Sequence, residues 1–263
     1  MPTAGEIEAA LFQSAPKELA MDWDNVGLLI GDPAREISRI LVALDITLAV
    51  AEEAEQGGFP LIVAHHPVMN CRWTPVQSLR PDTPQGALLT RLVRSGTVCI
   101  CMHTNLDRAS GGVNDCLAEV LGLKDPEILP NSDGFCRMGH LSASMDLPEF
   151  AQSVSAVLRC AGVRYAQGGR PVFRVAVGGG ACSEFAAAAR DAGCDTFVTA
   201  DVKYHAFQDA AAMGLNLLDA GHFPTEDPVC DKLIERINAA FPEVLVQKSR
   251  VHGDVIRFHS DSI

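Results

Sequence analysis

The stretch that most constrains the fold is a short apolar run that ends in two adjacent histidines. Leu-Ile-Val-Ala occupies residues 61–64, His65 and His66 follow, and Pro67 ends the run. A continuously apolar run of this length is typical of a strand buried on both faces of a parallel sheet. Its carboxyl end would lie at the sheet edge where open α/β folds bind ligands. From this stretch alone, the two histidines are either ligands or ordinary strand-end residues, and both interpretations stay open.

Strand-like and helix-like segments alternate along nearly the whole chain. Strands are predicted over residues 39–46, 61–64, 97–102, 135–142, 172–177, 196–199 and 215–218, with two short ones near 244–246 and 255–258. Helices are predicted over residues 47–56, 86–94, 113–121, 149–159, 183–192, 205–213 and 225–240. This alternation indicates the α/β class with largely parallel sheets. The weak pattern between Asp125 and Ser132 predicts a linker, and residues 71–84 predict a long surface loop.

The balance of charges excludes some classes of partner. Over 263 residues the formal net charge is −12. This opposes nucleic-acid binding, because contacts to phosphates depend on Lys and Arg. No apolar stretch reaches the ~20 residues of a membrane-spanning helix, and the N-terminus has no signal-peptide pattern. We therefore expect a cytoplasmic protein that binds neither nucleic acid nor a membrane.

The number and spacing of the cysteines also favour the cytoplasm. There are nine of them, an odd number, and no Cys-x-x-Cys pair occurs. The simplest interpretation is a set of buried thiols in a reducing cytoplasm. A zinc site of four cysteines is not expected, because the paired spacing is missing. Cys99 and Cys101 are candidates for a redox pair, although the apolar residues around them favour core packing.

Histidines and carboxylates collect at the predicted strand ends. These residues are His65, His66, His103, Asp107, Asp201, His222 and Glu226. Imidazole and carboxylate are the usual ligands of catalytic zinc, manganese or iron. The competing interpretation is a set of unrelated polar residues at loop starts. Three separate strand ends each carry a histidine and two carry an acidic residue within four positions, so we favour a metal site.

The order of predicted elements in the first half of the chain loosely resembles the order in the second half. In each half a polar strand end is followed by a helix and then by a second strand that ends in a histidine motif. Two similar α/β/α domains that face each other would explain this pattern of elements. The echo concerns the order of elements and not the identity of residues.

Four ordered motifs resemble one known family. They are Trp23-Asp24-Asn25-Val26-Gly27-Leu28, Ala64-His65-His66-Pro67, His103-Thr104-Asn105-Leu106-Asp107 with Gly112-Val113-Asn114-Asp115, and Asp219-Ala220-Gly221-His222-Phe223-Pro224-Thr225-Glu226. They are similar to those of the Nif-three-like family, also catalogued as GTP cyclohydrolase I type 2 homologues. Longer members of that family carry an inserted central domain, which this chain lacks.

The resemblance implies two similar three-layer α/β/α domains with a dinuclear metal centre in the cleft between them. We place the first domain at residues 1–125 plus 227–263 and the second at residues 126–226. The implied ligands of the two divalent ions are His65, His66, Asp107, His222 and Glu226. Asp107 and Glu226 are the implied bridges, and the catalytic candidate His103 lies near the metals. The resemblance also implies a homo-oligomer, specifically a ring-shaped hexamer.

The expected activity is that of a metal-dependent hydrolase. Zinc, iron and manganese all suit the ligand set. The small-molecule substrate would be cleaved at a C–N bond or a phosphoester, and the family's catalogued name suggests ring opening of the guanine of GTP. His103 would transfer a proton to the leaving atom. The alternative is a non-enzymatic metal-binding or regulatory protein that acts through protein partners.

Three further features have competing interpretations. His205 would line the cleft or cap a helix, and base rates favour a structural role. The glycines at residues 178–180 suggest a phosphate loop but lack the Gly-Lys-Ser/Thr ending of one. Asp24 and Asn25 would either support the metal ligands or make an Asx turn.

Overall fold

The structure, a computed structural model, describes residues 1–69 and 75–259. The first four residues of the predicted 71–84 loop lie outside this range. Ten α-helices and eleven β-strands follow one another along the described chain. They are α1 (Ala4–Ser14), β1 (Gly27–Ile30), β2 (Arg39–Ala43), α2 (Leu48–Gly57), β3 (Leu61–Ala64), α3 (Pro84–Ser95), β4 (Val98–Cys101), α4 (Thr104–Arg108), α5 (Val113–Val120), β5 (Lys124–Ile128), β6 (Arg137–Met145), α6 (Leu147–Leu158), β7 (Arg164–Ala166), β8 (Val172–Val177), α7 (Ala186–Asp191), β9 (Thr196–Thr199), α8 (Tyr204–Ala212), β10 (Asn216–Asp219), α9 (His222–Glu226), α10 (Pro228–Ala240) and β11 (Leu245–Lys248).

The chain divides into two compact units, and each has its own sheet. The first unit comprises Met1–Ser110 with Cys230–Gly253, and the second comprises Gly111–Val229 with Asp254–Ile263. Residues 111–125 thus belong to the second unit. The domain bounds given above stay a prediction, while the α/β class is confirmed.

The sheet of the first unit has five strands in the order β1-β4-β3-β2-β11. Four of them are parallel, and β1 pairs antiparallel with β4 at one edge. Strand β3 is fully buried and Ala64 pairs with both Ala43 and Cys101. The carboxyl ends of three neighbouring strands are therefore level. The loops that follow β2, β3 and β4 all begin at one sheet edge.

The sheet of the second unit has six strands in the order β5-β6-β8-β9-β10-β7. Strands β8, β9 and β10 are parallel, whereas β5, β6 and β7 run antiparallel to their neighbours. Val177 pairs with Val198, and Thr199 pairs with Asp219. The residues that follow these three strands therefore leave the sheet at a common edge.

Local sequence signals explain where the helices begin and end. Thr47 accepts a hydrogen bond from the amide of Val50 at the start of α2, and Gly58 ends that helix with φ of 64°. Helix α3 repeats the scheme with Thr83 at its start and Gly96 at its end. Threonine supplies the oxygen that a helix start needs, and glycine adopts the left-handed conformation without strain.

Three predicted elements are wrong. The predicted linker is in part a strand, because Lys124–Ile128 pairs antiparallel with β6 as an exposed edge strand. An edge strand tolerates Pro126, whose missing N–H would break a central strand. The predicted strand at 255–258, which lies within the described residues, has no regular structure. The predicted 225–240 helix is two helices, because α9 ends at Glu226 and α10 begins at Pro228.

Cys99 and Cys101 pack in the core of the first unit, as their apolar neighbours predicted. Burial raises the pKa of the Cys101 thiol to about 12 and the pKa of Cys99 well above its ordinary value. Both thiols therefore stay protonated at neutral pH. Among residues 1–69 and 75–259, no helix is both long enough and apolar enough to cross a membrane.

Candidate functional site

Three histidines of the first unit lie together beyond the ends of β3 and β4. Ring centroids of His65 and His66 are 4.8 Å apart, and His103 lies 5.3 Å from the first ring and 5.6 Å from the second. One ring nitrogen from each histidine lies within 4.8 Å of the others, a spacing that one metal ion could span. Because β3 ends at Ala64, the adjacent histidines do not follow strand alternation and can share one side.

Each of these rings is held through its Nδ1 atom by an oxygen. The partners are the Met102 carbonyl for His65 at 2.8 Å, the Asp45 carboxylate for His66 at 2.7 Å and the Asp24 carboxylate for His103 at 2.8 Å. Carbonyls and ionised carboxylates only accept hydrogen bonds, so Nδ1 must carry the hydrogen. The lone pair of each neutral ring is then on Nε2. This is the usual arrangement of metal-binding histidines.

Asp107 lies close to His65 because of a short helix that the sequence did not predict. Helix α4 begins just after His103, whose carbonyl accepts the amides of Leu106 and Asp107. The Asp107 Oδ1 atom is 3.5 Å from His65 Nε2. A carboxylate oxygen thus lies beside the nitrogen that has the lone pair. Both atoms are donors of the kind that zinc, iron and manganese take.

Asp24 supports His103 and also fixes the start of α4. Its side chain is fully buried, and its Oδ2 accepts hydrogen bonds from the Thr104 amide at 3.0 Å and the Thr104 hydroxyl at 2.5 Å. Burial alone would raise the pKa of the Asp24 carboxyl, but the hydrogen bonds from His103 and Thr104 outweigh it and lower that pKa to about 2. Asp24 therefore stays ionised beside the ring.

In the second unit, His222 and Glu226 lie one turn apart on α9. His222 Nε2 is 3.1 Å from Glu226 Oε2, and its Nδ1 is 2.7 Å from Asp201 Oδ2. His222 therefore has the same arrangement as the three histidines of the first unit. Asp201 has φ of 52°, the left-handed region that a residue other than glycine rarely adopts. Such strain persists where the surrounding structure holds it, often at functional sites.

The glycines at 178–180 do not form a phosphate loop. The amide of Gly179 donates to the Asn114 side chain at 2.7 Å, and the amide of Gly180 donates to the Thr225 hydroxyl at 3.0 Å. These N–H groups are used within the protein and are not directed at a phosphate. The loop instead passes directly against Glu226, where there is no room for a side chain at residue 180.

The remaining histidines have separate surroundings. His205 is exposed at the start of α8 and contacts the ring of Tyr204 at 5.4 Å. His140 stacks on Phe173 at 5.6 Å. His252 accepts the amide of Leu44 through Nδ1 at 3.1 Å. His140 shares part of the pattern, because its Nδ1 is 3.0 Å from the Leu141 carbonyl oxygen and its Nε2 is 3.2 Å from Asp125 Oδ2, but the two side chains are 42% and 91% exposed.

Of the three carboxylates that hold the rings, Asp24 and Asp201 are among the residues singled out in the sequence, and Asp45 is not. Asp45 lies just beyond the end of β2, and no motif points to it. Asp24 lies 79 residues from His103, so no local spacing could connect them. The first unit brings together His65, His66, His103 and Asp107, and the second unit brings together Asp201, His222 and Glu226. The donors in each group fit a divalent metal ion.

Comparison with known proteins agrees with these motifs. The family model for Duf34/NIF3 (NGG1p interacting factor 3) matches residues 2–254. A Clostridium perfringens protein named GTP cyclohydrolase 1 type 2 homolog is 34% identical over 229 residues, which cover 85% of this chain and 86% of that protein.

Two solved structures are similar over almost the whole chain. Hypothetical protein SA1388 of Staphylococcus aureus has a TM-score of 0.90 and 28% identity, with 98% of this chain and 100% of that chain covered. A Bacillus cereus protein related to NIF3 has a TM-score of 0.88 and 25% identity, with 98% and 99% covered. With four sequence motifs, a matching family model and a shared fold, this chain belongs to the Duf34/NIF3 family.

Proposed function

We propose that this protein binds two divalent metal ions and uses them to hydrolyse a C–N bond or a phosphoester of a small molecule. The ligands in this proposal are His65, His66, Asp107, His222 and Glu226. Asp107 and Glu226 would be the ligands that the two ions share, as the family resemblance implies. Zinc, iron and manganese all suit these donors.

The observation that carries the proposal is the common arrangement of four histidines. His65, His66, His103 and His222 each have an oxygen acceptor on Nδ1, which leaves Nε2 as the basic atom. His140 shows the same Nδ1 contact at the surface, so what distinguishes His65, His66 and His103 is that one ring nitrogen from each lies within 4.8 Å of the others. Outer carboxylates and carbonyls of this kind fix the tautomer and orient the ring of a metal ligand. A carboxylate oxygen also lies within 3.5 Å of Nε2 in His65 and in His222.

His103 is the candidate for proton transfer. Divalent ions in such a site supply Lewis-acid polarisation and make water more acidic. Asp24 holds the His103 ring through Nδ1. His103 Nε2 can then accept a proton and donate it to the leaving nitrogen or oxygen. The buried, ionised Asp24 keeps this atom in one place throughout the reaction.

The names of the relatives support the proposed substrate class. Several of them are named GTP cyclohydrolase 1 type 2 homolog, which supports a nucleotide-like small molecule with a hydrolysable C–N bond. By family resemblance we also propose a hexamer of this chain in the cytoplasm. Cytoplasmic location agrees with the burial of Cys99 and Cys101 as thiols.

Elemental analysis of protein purified without chelator tests the proposal. We expect about two ions per chain in the native protein. His65→Ala and Glu226→Ala should each lower the metal content, whereas His140→Ala is the matched control and should retain it. Metal-loaded protein is then screened on nucleotides, amides and phosphoesters, and His103→Ala should retain metal but lose turnover.

Two results would contradict the proposal in different ways. If the native protein bound no stoichiometric amount of metal in any reconstitution, the proposed metal centre would be excluded. Metal-replete protein that releases no product from the whole panel would exclude the hydrolase. In that second case the non-enzymatic alternative, a metal-binding protein that acts through protein partners, would remain.

A further inference from the structure

Asp219 links the two loops that carry Asp201 and His222. It is the last residue of β10, and its side chain is only 7% exposed. Its Oδ2 accepts the amide of Val202 at 3.0 Å, and its Oδ1 accepts the amide of Gly221 at 3.1 Å. Val202 follows Asp201 directly, and Gly221 precedes His222. One buried carboxylate thus fixes the backbone beside both partners of the histidine–carboxylate pair.

Hydrogen bonds to Asp201 and Asp219 hold the His222 ring and the backbone next to it. Asp201 Oδ2 holds His222 Nδ1 at 2.7 Å, while Asp219 holds the backbone on each side. Asp201 and Gly221 both have positive φ, 52° and 86°. For Asp201, which is not a glycine, this conformation is unfavourable and persists only when other contacts hold it. The Asp219 carboxylate supplies those contacts, so the position of the His222 ring depends on it.

Arg164, on the neighbouring strand β7, contacts both the Asp219 carboxylate and the loop that contains Asp201. It is the register partner of Asp219 in the β7–β10 pair. Its guanidinium donates to Asp219 Oδ2, and it also donates to the Val202 carbonyl at 3.1 Å. The Arg164 side chain is 57% exposed and lies 5.4 Å from the centre of the Phe207 ring. Arg164 therefore neutralises the buried carboxylate of Asp219. It also adds a second hydrogen bond to the loop that contains Asp201 and Val202.

We infer that Asp219 and Arg164 are positioning residues for His222: together they set the orientation of the imidazole that binds metal. The inference rests on the proposed function, because it takes His222 as a metal ligand. Neither residue touches the metal or the substrate in this scheme. Outer residues that orient a metal ligand typically change metal affinity 10–100-fold when they are removed.

The first test measures metal affinity in the full-length protein. Arg164→Ala should weaken Zn²⁺ binding about tenfold in a chelator competition titration, and Arg164→Lys should restore part of this loss. Arg174→Ala is the matched control, because Arg174 is an exposed arginine in the same sheet, 46% accessible and paired with Glu127 at 3.8 Å. It should bind Zn²⁺ as the native protein does. Asp219→Asn keeps the shape of the side chain but removes its charge, and it should weaken binding at least as much as Arg164→Ala.

The second test is independent of metal. Nitrogen NMR of the metal-free native protein should show His222 as a single tautomer with hydrogen on Nδ1. In Arg164→Ala the same signals should indicate a mixture of tautomers, whereas Arg174→Ala should leave them unchanged. A general loss of stability would not selectively move the ring signals of one histidine in a folded protein.

The possible outcomes separate this inference from the proposed function. Arg164→Ala with native affinity and native His222 signals would overturn the inference. An equal loss of affinity in Arg164→Ala and Arg174→Ala would also overturn it, since the effect would not be specific. If the native protein binds no metal, the proposed function fails, and the His222 tautomer alone decides whether Arg164 and Asp219 orient the ring.

Discussion

Gly180 lies directly against the carboxylate of Glu226. A Cβ atom at residue 180 would be 2.2 Å from Glu226 Oε1 and 3.1 Å from His222 Nε2. The glycine also has φ of +63°, a conformation that costs other residues about 1–2 kcal/mol. Two physical constraints thus require glycine here, and one of them is the closeness of a proposed metal ligand.

We predict that Gly180→Ala lowers both metal content and stability. The new methyl group would displace Glu226 from its place beside His222. Gly193→Ala is the matched control, because Gly193 has φ of +83° but its Cβ would meet nothing within 4 Å. Both variants should lose about 1–2 kcal/mol in urea unfolding from backbone strain. Only Gly180→Ala should lose metal, and equal metal content in the two variants would contradict the steric argument.

We predict that Asp24 contributes stability that acid removes. Its folded-state pKa of about 2 lies below the ordinary value of 3.8. The ionised form is therefore favoured by folding, with a contribution of about 2 kcal/mol. This contribution is complete above pH 4 and is lost as the pH falls from about 4 to about 2.

Urea unfolding at pH 7 and at pH 3 checks the Asp24 prediction. The native protein should lose more stability between these two pH values than Asp24→Asn, because asparagine has no charge to lose. Asp82→Asn is the control, because Asp82 is exposed and its ion pair with Arg80 is screened by solvent. A pH dependence that is the same in Asp24→Asn and the native protein would exclude a depressed pKa at this residue.

Elements with an apolar pattern could be predicted from the sequence, and those that depend on distant contacts could not. Strands β3 and β4 are buried on both faces, so their runs of apolar residues were sufficient. Strand β5 is exposed at every residue and contains Pro126, so it has no such pattern. Helix α4 has five residues, too few for a helical repeat. Its start depends on Asp24, which is 80 residues away from Thr104.

The same distinction applies to the candidate site. The ligand residues could be proposed because each lies just beyond a strand or within a family motif. The carboxylates that hold the rings follow no spacing rule, and Asp45 is 21 residues from His66. The need for glycine at residue 180 follows from its contact with Glu226, which is far along the chain and packs against it only in the folded protein. Tautomers and close contacts are properties of the folded chain.

We predict that Cys99 and Cys101 do not react with thiol reagents in the folded protein. With a pKa of about 12, the Cys101 thiol is about 0.01% thiolate at pH 8, and only the thiolate reacts. Cys160 is partly exposed and should be alkylated much earlier. Mass spectrometry after iodoacetamide treatment, with and without denaturant, identifies the modified residues. Rapid modification of Cys101 without denaturant would show that the strand opens or that its thiol is ionised.

We predict that Asp45→Asn weakens metal binding through His66. The Asp45 carboxylate accepts the Nδ1 hydrogen of His66 at 2.7 Å, which makes Nε2 a better donor to metal. An amide at this place is a weaker acceptor and can present its own N–H instead, which would favour the other tautomer. The loss should be about tenfold in Zn²⁺ affinity, the lower end of the range for such partners. Asp32→Asn is the matched control, because Asp32 is an exposed loop aspartate whose Oδ1 only accepts the Ala34 amide at 2.9 Å. If Asp45→Asn bound Zn²⁺ as tightly as Asp32→Asn does, the carboxylate would have no role in preparing His66 for metal.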